Sequence, residues 1–409
     1  MARAQVTKAG AVLAATALVW LAASHFAHES AMLELLLHQQ QQTLQLLGAR
    51  DSGGSPAATE ADAPSPTPVA PSSTPVAAAP GAATDACLSA SLPGLSLPAE
   101  NADRTFAYSS AGSGTTRHCG GTYTYEQLNG LFEPFCVDWV ILGRERGYWS
   151  VTGNVRDYVD TDKIHDVEMA SVKVPEEAKV PFYQSGKIDI DDFEHQIREA
   201  GATVPPTEAT VLDFGCGLAR LSSELSKRFQ HVICVDQSHV HLELAKSEYN
   251  KMRAGDCDSA RSMADVPKTH TATFLLTGPN LLARMQGKKV DMVVTAISLQ
   301  HTLPPLQLAY VEQLCDVLTP GGVAFIHIPN RIPTYETTLK TKPGSSECDF
   351  DEYHANPDLR GEMQIHAIDH ELMLTRMKAR GCELMGAKVC DKAAIAGGLE
   401  HCYVFKRSS

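Results

Sequence analysis

The hydrophobic and polar positions fall into contrasting zones along the chain. Ala11–Ala27, AVLAATALVWLAASHFA, is apolar and carries no formal charge. As a helix those residues would extend roughly 25 Å, at the short limit for crossing a bilayer. Between Ala31 and Ala49, Leu33, Leu36, Leu37, Leu44 and Leu47 fall near one helical face, which predicts a short helix or coiled-coil stem. From Asp51 to about Ala83 the composition collapses to Ala, Pro, Ser, Thr and Gly. So little apolar surface cannot offset the entropy of ordering, and a disordered, extended linker is expected. The globular zone follows, from about Asn101 to Ser409. Its first part, through about Lys179, is rich in aromatic, Gly and β-branched residues without a clear helical period, and reads as an accessory or capping segment. From Phe182 onward helical and strand-like runs alternate, predicting βαβ units on a parallel sheet. The expected divisions are 1–28 (anchor or targeting segment), 29–100 (stem and linker), 101–181 (accessory segment) and 182–409 (the main α/β domain).

One turn in the last zone carries the candidate chemistry. Ala209–Phe214 reads as a buried strand, and Leu218–Phe229 as a helix whose Leu218, Leu221 and Leu225 face inward. Between them lie Asp213, Gly215 and Gly217. Glycine lets the backbone turn sharply and a ligand approach closely, and the helix N-terminus points free N–H groups at whatever binds. A second strand, His231–Val235, ends in Asp236, placed to accept the ribose hydroxyls of an adenosine ligand. A dinucleotide fingerprint starting at Gly215 would need glycine at 220, where this chain has Arg220. Asp213 also suits an ammonium better than a diphosphate. S-adenosylmethionine carries adenosine, a sulfonium and an amino acid end, with no phosphate, and fits the turn better.

At these residues the chain resembles the class I S-adenosylmethionine-dependent methyltransferases. VLDFGCGLAR is similar to their first motif, with Ala219 in place of a third glycine, and VICVDQS to their second, with Asp236 as the ribose acid and Gln237 beside it. VDMVVTAISLQHTLP resembles their fourth strand and the residues after it, including Gln300, that face the methyl group. LTPGGVAFIHIP resembles the turn into the fifth strand, and the C-terminal stretch from Gly381 to Arg407 resembles the closing antiparallel pair. The resemblance covers about Phe182–Arg407 and is nearest to members with an FYxSG element, here Tyr183, Ser185 and Gly186 after Phe182. It implies a doubly wound αβα sandwich around a mostly parallel seven-stranded sheet, with S-adenosyl-L-methionine as cofactor. It also implies that Tyr183 closes over the cofactor's amino acid end or packs in the core. Where many relatives carry an acid near adenine, this chain has Thr277-Gly278-Pro279-Asn280, and Asn280 is the candidate for that hydrogen bond.

Methyl transfer needs alignment and exclusion of water, and a hydroxyl acceptor also benefits from a general base near neutral pH. His301, after the fourth strand, and His366, before the last helix, are the candidates; each could instead bond the backbone or pack. His366 and His370 are four residues apart, but no third ligand is near, so no metal site is expected. Arg220 reads as a surface helix residue, the alternative being contact with the cofactor carboxylate, and Cys216 has no adjacent base that would make it a nucleophile.

Charge and cysteine content narrow the partners. The formal net charge of −13, with no basic run, argues against nucleic acid. The 11 cysteines show no CxxC pair, so mostly free thiols are expected, with Cys87, Cys119 and Cys136 able to pair in an oxidising lumen. Arg3 and Lys8 precede the apolar segment, which leaves three readings: a signal anchor, a cleaved signal peptide ending near Ala22-Ala23-Ser24, or a transit peptide. The favoured layout is a single-pass endomembrane anchor with a lumenal catalytic domain, acting on a small-molecule, glycan or lipid acceptor. O-methylation is slightly favoured, and nothing in the pattern sets an oligomeric state. The alternatives are a non-catalytic S-adenosylmethionine-binding scaffold and, further off, an NAD-dependent oxidoreductase.

Overall fold

The computed structural model describes residues 106–109, 120–152, 174–332, 343–345, 349–350, 361–390 and 399–409. The expected anchor, stem and linker lie outside these residues, as do Cys87 and Cys119.

The described chain forms β1 (Phe106–Ser109), β2 (Gly120–Tyr123), α1 (Tyr125–Thr152), α2 (Glu176–Glu199), β3 (Thr210–Phe214) and α3 (Arg220–Arg228). It continues through β4 (His231–Asp236), α4 (His239–Ala254), β5 (Thr271–Leu276), α5 (Leu281–Met285), β6 (Val290–Thr295) and α6 (Pro304–Val317). The last elements are β7 (Leu318–Arg331), α7 (His370–Ala379), β8 (Cys382–Val389) and β9 (Leu399–Arg407). β1 and β2 make a small antiparallel pair. The seven other strands form one sheet in the order β5-β4-β3-β6-β7-β9-β8. β5 through β7 run parallel, and β9 and β8 close the edge antiparallel, as expected for this α/β class.

Alternation along the strands builds a core on each face of the sheet. Leu212, Phe214, Val293, Ala324, Ile326 and Phe405 point to one face, where α1, α6 and α7 contribute Phe132, Leu308, Leu314 and Met377. Val211, Met292, Val294, Val323, Phe325 and Val404 point to the other, against Phe193 and Ile197 of α2 and Leu221 and Leu225 of α3. Phe193 stacks on Phe325 with ring centroids 4.0 Å apart, pinning α2 to the sheet centre.

Two elements depart from the sequence expectation. α2 begins at Glu176, so the division expected at 182 falls inside a helix, and the FYQSG element lies on it. The stretch expected to lack a helical period contains a 28-residue helix, α1. Leu128, Phe132, Phe135, Trp139 and Leu142 are buried at spacings of four and three, one face of the helix. The helical period is therefore present in the sequence, although Gly130, Pro134 and Gly143 lie among these positions and a kink at Arg146 ends it.

The cysteines also correct the expectation of mostly free thiols. Cys315 bonds Cys382 and Cys390 bonds Cys402, and Cys136 is disulfide-bonded too. Among the described residues Cys216, Cys234 and Cys257 are free. The pairing comes from topology that spacing does not show: α6 ends beside the start of β8, and Cys390 follows β8 opposite Cys402 of β9.

Candidate functional site

β3 and β6 are adjacent in the sheet although α3 leaves β3 toward one side and α6 leaves β6 toward the other. A crevice opens at the carboxyl ends of such strands. Here it is lined by Asp213, Gly215, Cys216, Gly217, Asp236 and Gln237 below, Ala296–Ser298 on one side, and Trp139, Ser150 and Val151 of α1 above. Its space, open mouth included, is about 460 Å³.

The glycine turn is left-handed at Gly215 (φ 74) and Gly217 (φ 51), conformations that favour glycine. Space is equally restrictive: a Cβ on Gly215 would lie 1.6 Å from Ser298 Oγ, and one on Gly217 would lie 2.7 Å from Val151 Cγ2. Ala219, at the third-glycine position, is itself left-handed (φ 61) and starts α3.

Two buried carboxyls face the crevice. Asp236 accepts the Gly217 N–H and the Ser238 N–H, each at 2.9 Å, one on each oxygen. A carboxylate offers about four lone-pair directions, so acceptor capacity remains for a diol. Asp213 accepts from Ser222 Oγ at 2.5 Å. Burial pushes each carboxyl up to about 6, partly offset at Asp213 by Ser222 and the Arg220 charge, and at Asp236 by backbone N–H groups.

Arg220 corrects its sequence reading. It is buried, not on the surface, and is one of the residues that line the crevice. Nη1 donates to Asp189 at 2.6 Å and to Ser185 Oγ at 3.1 Å, while Nε has no hydrogen-bond partner. The FYQSG residues act as its support. A Cβ on Gly186 would lie 2.3 Å from the Arg220 carbonyl oxygen, so glycine lets α2 and α3 meet. Ser185 holds the guanidinium, and Tyr183 donates to the Leu218 carbonyl at 3.1 Å. These three residues stand behind the crevice wall.

α1 is fastened over the site. Ser238 Oγ donates to the Trp139 carbonyl at 3.2 Å, and His241 meets Ser150 Oγ at 2.8 Å. The Trp139 ring lies between His241 (5.6 Å) and His301 (5.2 Å). Trp139, Ser150 and Val151 were missed by sequence reasoning, because no motif marks them and their stretch was read as an accessory segment without a helix.

The other expected residues sit outside the crevice lining. His301 is buried; its Nδ1 donates to the Gln364 carbonyl at 2.7 Å, and Nε2 is 3.3 Å from Gln300 Nε2. Burial lowers its imidazole to about 4, which keeps it neutral at ordinary pH. The His366 N–H donates to the Gln300 carbonyl at 2.6 Å, and its Nε2 is 3.3 Å from Gln364 Oε1. Gln300, His301, Gln364 and His366 therefore form one buried polar group behind Trp139. Asn280 caps α5 through Oδ1 on the Ala283 N–H at 3.0 Å, and its Nδ2 has no hydrogen-bond partner.

Residues 211–322, from β3 into β7, match the family described as a methyltransferase domain. Among solved structures it is similar to magnesium protoporphyrin IX methyltransferase from Synechocystis with bound SAH, at 14% identity and TM-score 0.39, over 64% of this chain and 98% of that one. It is also similar to an S-adenosylmethionine-dependent methyltransferase from Clostridium acetobutylicum, at 13% identity and TM-score 0.36, over 63% and 98%. A third, from Methanosarcina mazei, shows 14% identity and TM-score 0.35, over 50% and 94%. No curated protein matches the chain in sequence.

Proposed function

We propose that the crevice holds S-adenosyl-L-methionine and that the domain transfers its methyl group to an acceptor. The observation that carries this reading is that an acid and a base, Asp213 and Arg220, line the crevice together with Asp236. The amino acid end of the cofactor is a zwitterion, and a carboxylate and a guanidinium in one buried site suit its two charges. Asp213 takes the ammonium, Arg220 the carboxylate, and the FYQSG residues hold the guanidinium in place. A diphosphate would instead meet the Asp213 carboxylate. When bound, the cofactor supplies an activated methyl group on sulfur. The protein aligns it, excludes water with α1, and presents the carboxyl edge of β6 to the acceptor.

For a hydroxyl acceptor, His301 and His366 are the proposed bases. The Gln364 carbonyl fixes His301 with its proton on Nδ1, leaving Nε2 as the basic nitrogen once Gln300 moves aside. The engagement of both His301 nitrogens favours, as a second reading, a cofactor-binding scaffold without turnover. Methyl transfer to any acceptor rules that out. The acceptor class we propose is a small molecule, glycan or lipid. The compartment we propose is an oxidising lumen reached through the N-terminal apolar segment, supported by the Cys315–Cys382 and Cys390–Cys402 bonds.

The test compares S-adenosylhomocysteine with methylthioadenosine, which lacks the amino acid end. Arg220→Gln should weaken S-adenosylhomocysteine by about tenfold or more, the scale of one charged hydrogen bond, and leave methylthioadenosine unchanged. Equal effects on both ligands would contradict the assignment.

A further inference from the structure

The side of the crevice formed by Ala296, Ile297 and Ser298 is strained. Ile297 has φ 54, a left-handed conformation that a β-branched residue adopts at a cost and only when its surroundings impose it. A buried pair on β7 and β9 engages its N–H. His327 Nδ1 accepts the Ile297 N–H at 3.1 Å, and His327 Nε2 lies 2.8 Å from Glu400 Oε2. Both side chains are buried, 0% and 4% exposed. A backbone N–H can only donate, so Nδ1 is the bare nitrogen, and Nε2 carries the proton and donates it to the carboxylate. The imidazole of His301 approaches the same Ile297 backbone. The loop must be placed closely, because Ser298 Oγ occupies the space a Cβ on Gly215 would need.

We infer that His327, with its tautomer set by Glu400, is a positioning residue that clamps the strained Ile297 peptide and so fixes the crevice wall against which the cofactor is seated. This rests on the cofactor reading above for its functional consequence, but the clamp itself is a property of the protein alone. His327 is not among the residues that line the crevice. Its effect passes through one backbone hydrogen bond.

The two nitrogens can be separated by substitution in the full chain. His327→Asn keeps an acceptor near the Nδ1 position, while His327→Gln places its amide near Nε2, keeping the Glu400 contact and losing Ile297. Two readouts are taken: hydrogen exchange of the peptide holding the Ile297 amide, and S-adenosylhomocysteine affinity. The clamp predicts that His327→Gln speeds exchange and weakens the ligand, each by about tenfold, while His327→Asn stays within about twofold of the parent. Should the parent bind no ligand while exchange still follows the acceptor, the clamp stands and the cofactor reading falls. Should the parent bind and neither readout separate the variants, the clamp is overturned and the cofactor reading stands. If His327→Gln does not fold, Glu400→Gln against Glu400→Ala asks the same question. The first keeps an acceptor for Nε2–H and preserves both readouts; the second loses both, and equal behaviour overturns the proposal.

Discussion

Asp213 and Asp236 are held at about 6 by burial, well above the ordinary carboxylate range. The sign of the consequence differs for folding and for binding. A raised folded value means that both carboxylates weaken the empty fold at neutral pH, and that this penalty fades as pH falls through about 6 toward 4. Binding runs the other way, because an ammonium and a ribose diol both prefer ionised carboxylates. S-adenosylhomocysteine affinity should be flat above pH 7 and fall below 6 by about tenfold per pH unit for each carboxyl. Titrations from pH 8 to pH 5 measure this, and an unchanged affinity at pH 5 would contradict it. These acids and the two glycines were legible in the sequence because a strand, a turn and a helix N-terminus are set by neighbours in the chain. Arg220 was not. Its polar side chain on a short helix looks solvated until α2, about thirty residues earlier, covers it through Asp189 and Ser185.

At the scale of elements, the site depends on how the β3–α3 turn meets the β6 loop. Gly215→Ala combines a left-handed backbone with a Cβ placed 1.6 Å from Ser298 Oγ. The substitution should cost about 2–4 kcal/mol from strain and overpacking together and remove cofactor binding. Adding Ser298→Gly removes the clashing hydroxymethyl group and should recover part of the loss, roughly 1–2 kcal/mol by a double-mutant cycle in thermal unfolding. Strict additivity would show that the two elements do not press on each other. The strands and α3 were read from alternation and from apolar spacing. α1 departs from the sequence expectation although Leu128, Phe132, Phe135, Trp139 and Leu142 keep helical spacing, because Gly, Pro and aromatic residues crowd the same stretch.

Across the whole molecule, the two described disulfides secure the sheet edge. Cys382 at the start of β8 is tied to α6, and Cys390 just beyond its end is tied to β9. β8 exposes Leu384 and Val389 and has a partner on one side only, so it depends on these ties more than the central strands do. Cys382→Ser with Cys315→Ser should lower stability by about 2–4 kcal/mol, given the 67-residue separation, and reductant should lower the melting temperature of the parent but less that of the variant. Peptide mapping without reduction would find the bonds directly. The sheet class and its closing antiparallel pair were legible from the order of motifs. The bonds were not, because contact across β8, β9 and α6 is decided by folding and leaves no local spacing.

The central claim is the cofactor, and calorimetric titration of the folded protein tests it most directly. S-adenosylmethionine, S-adenosylhomocysteine and NAD are titrated into the parent and into Asp236→Ala. Micromolar binding of both adenosyl sulfur ligands, no binding of NAD, and a loss of about a hundredfold in the variant, the cost of removing a charged acceptor from two hydroxyls, is the predicted result. Binding of NAD, or of none of the three by a protein shown to be folded, would contradict the account.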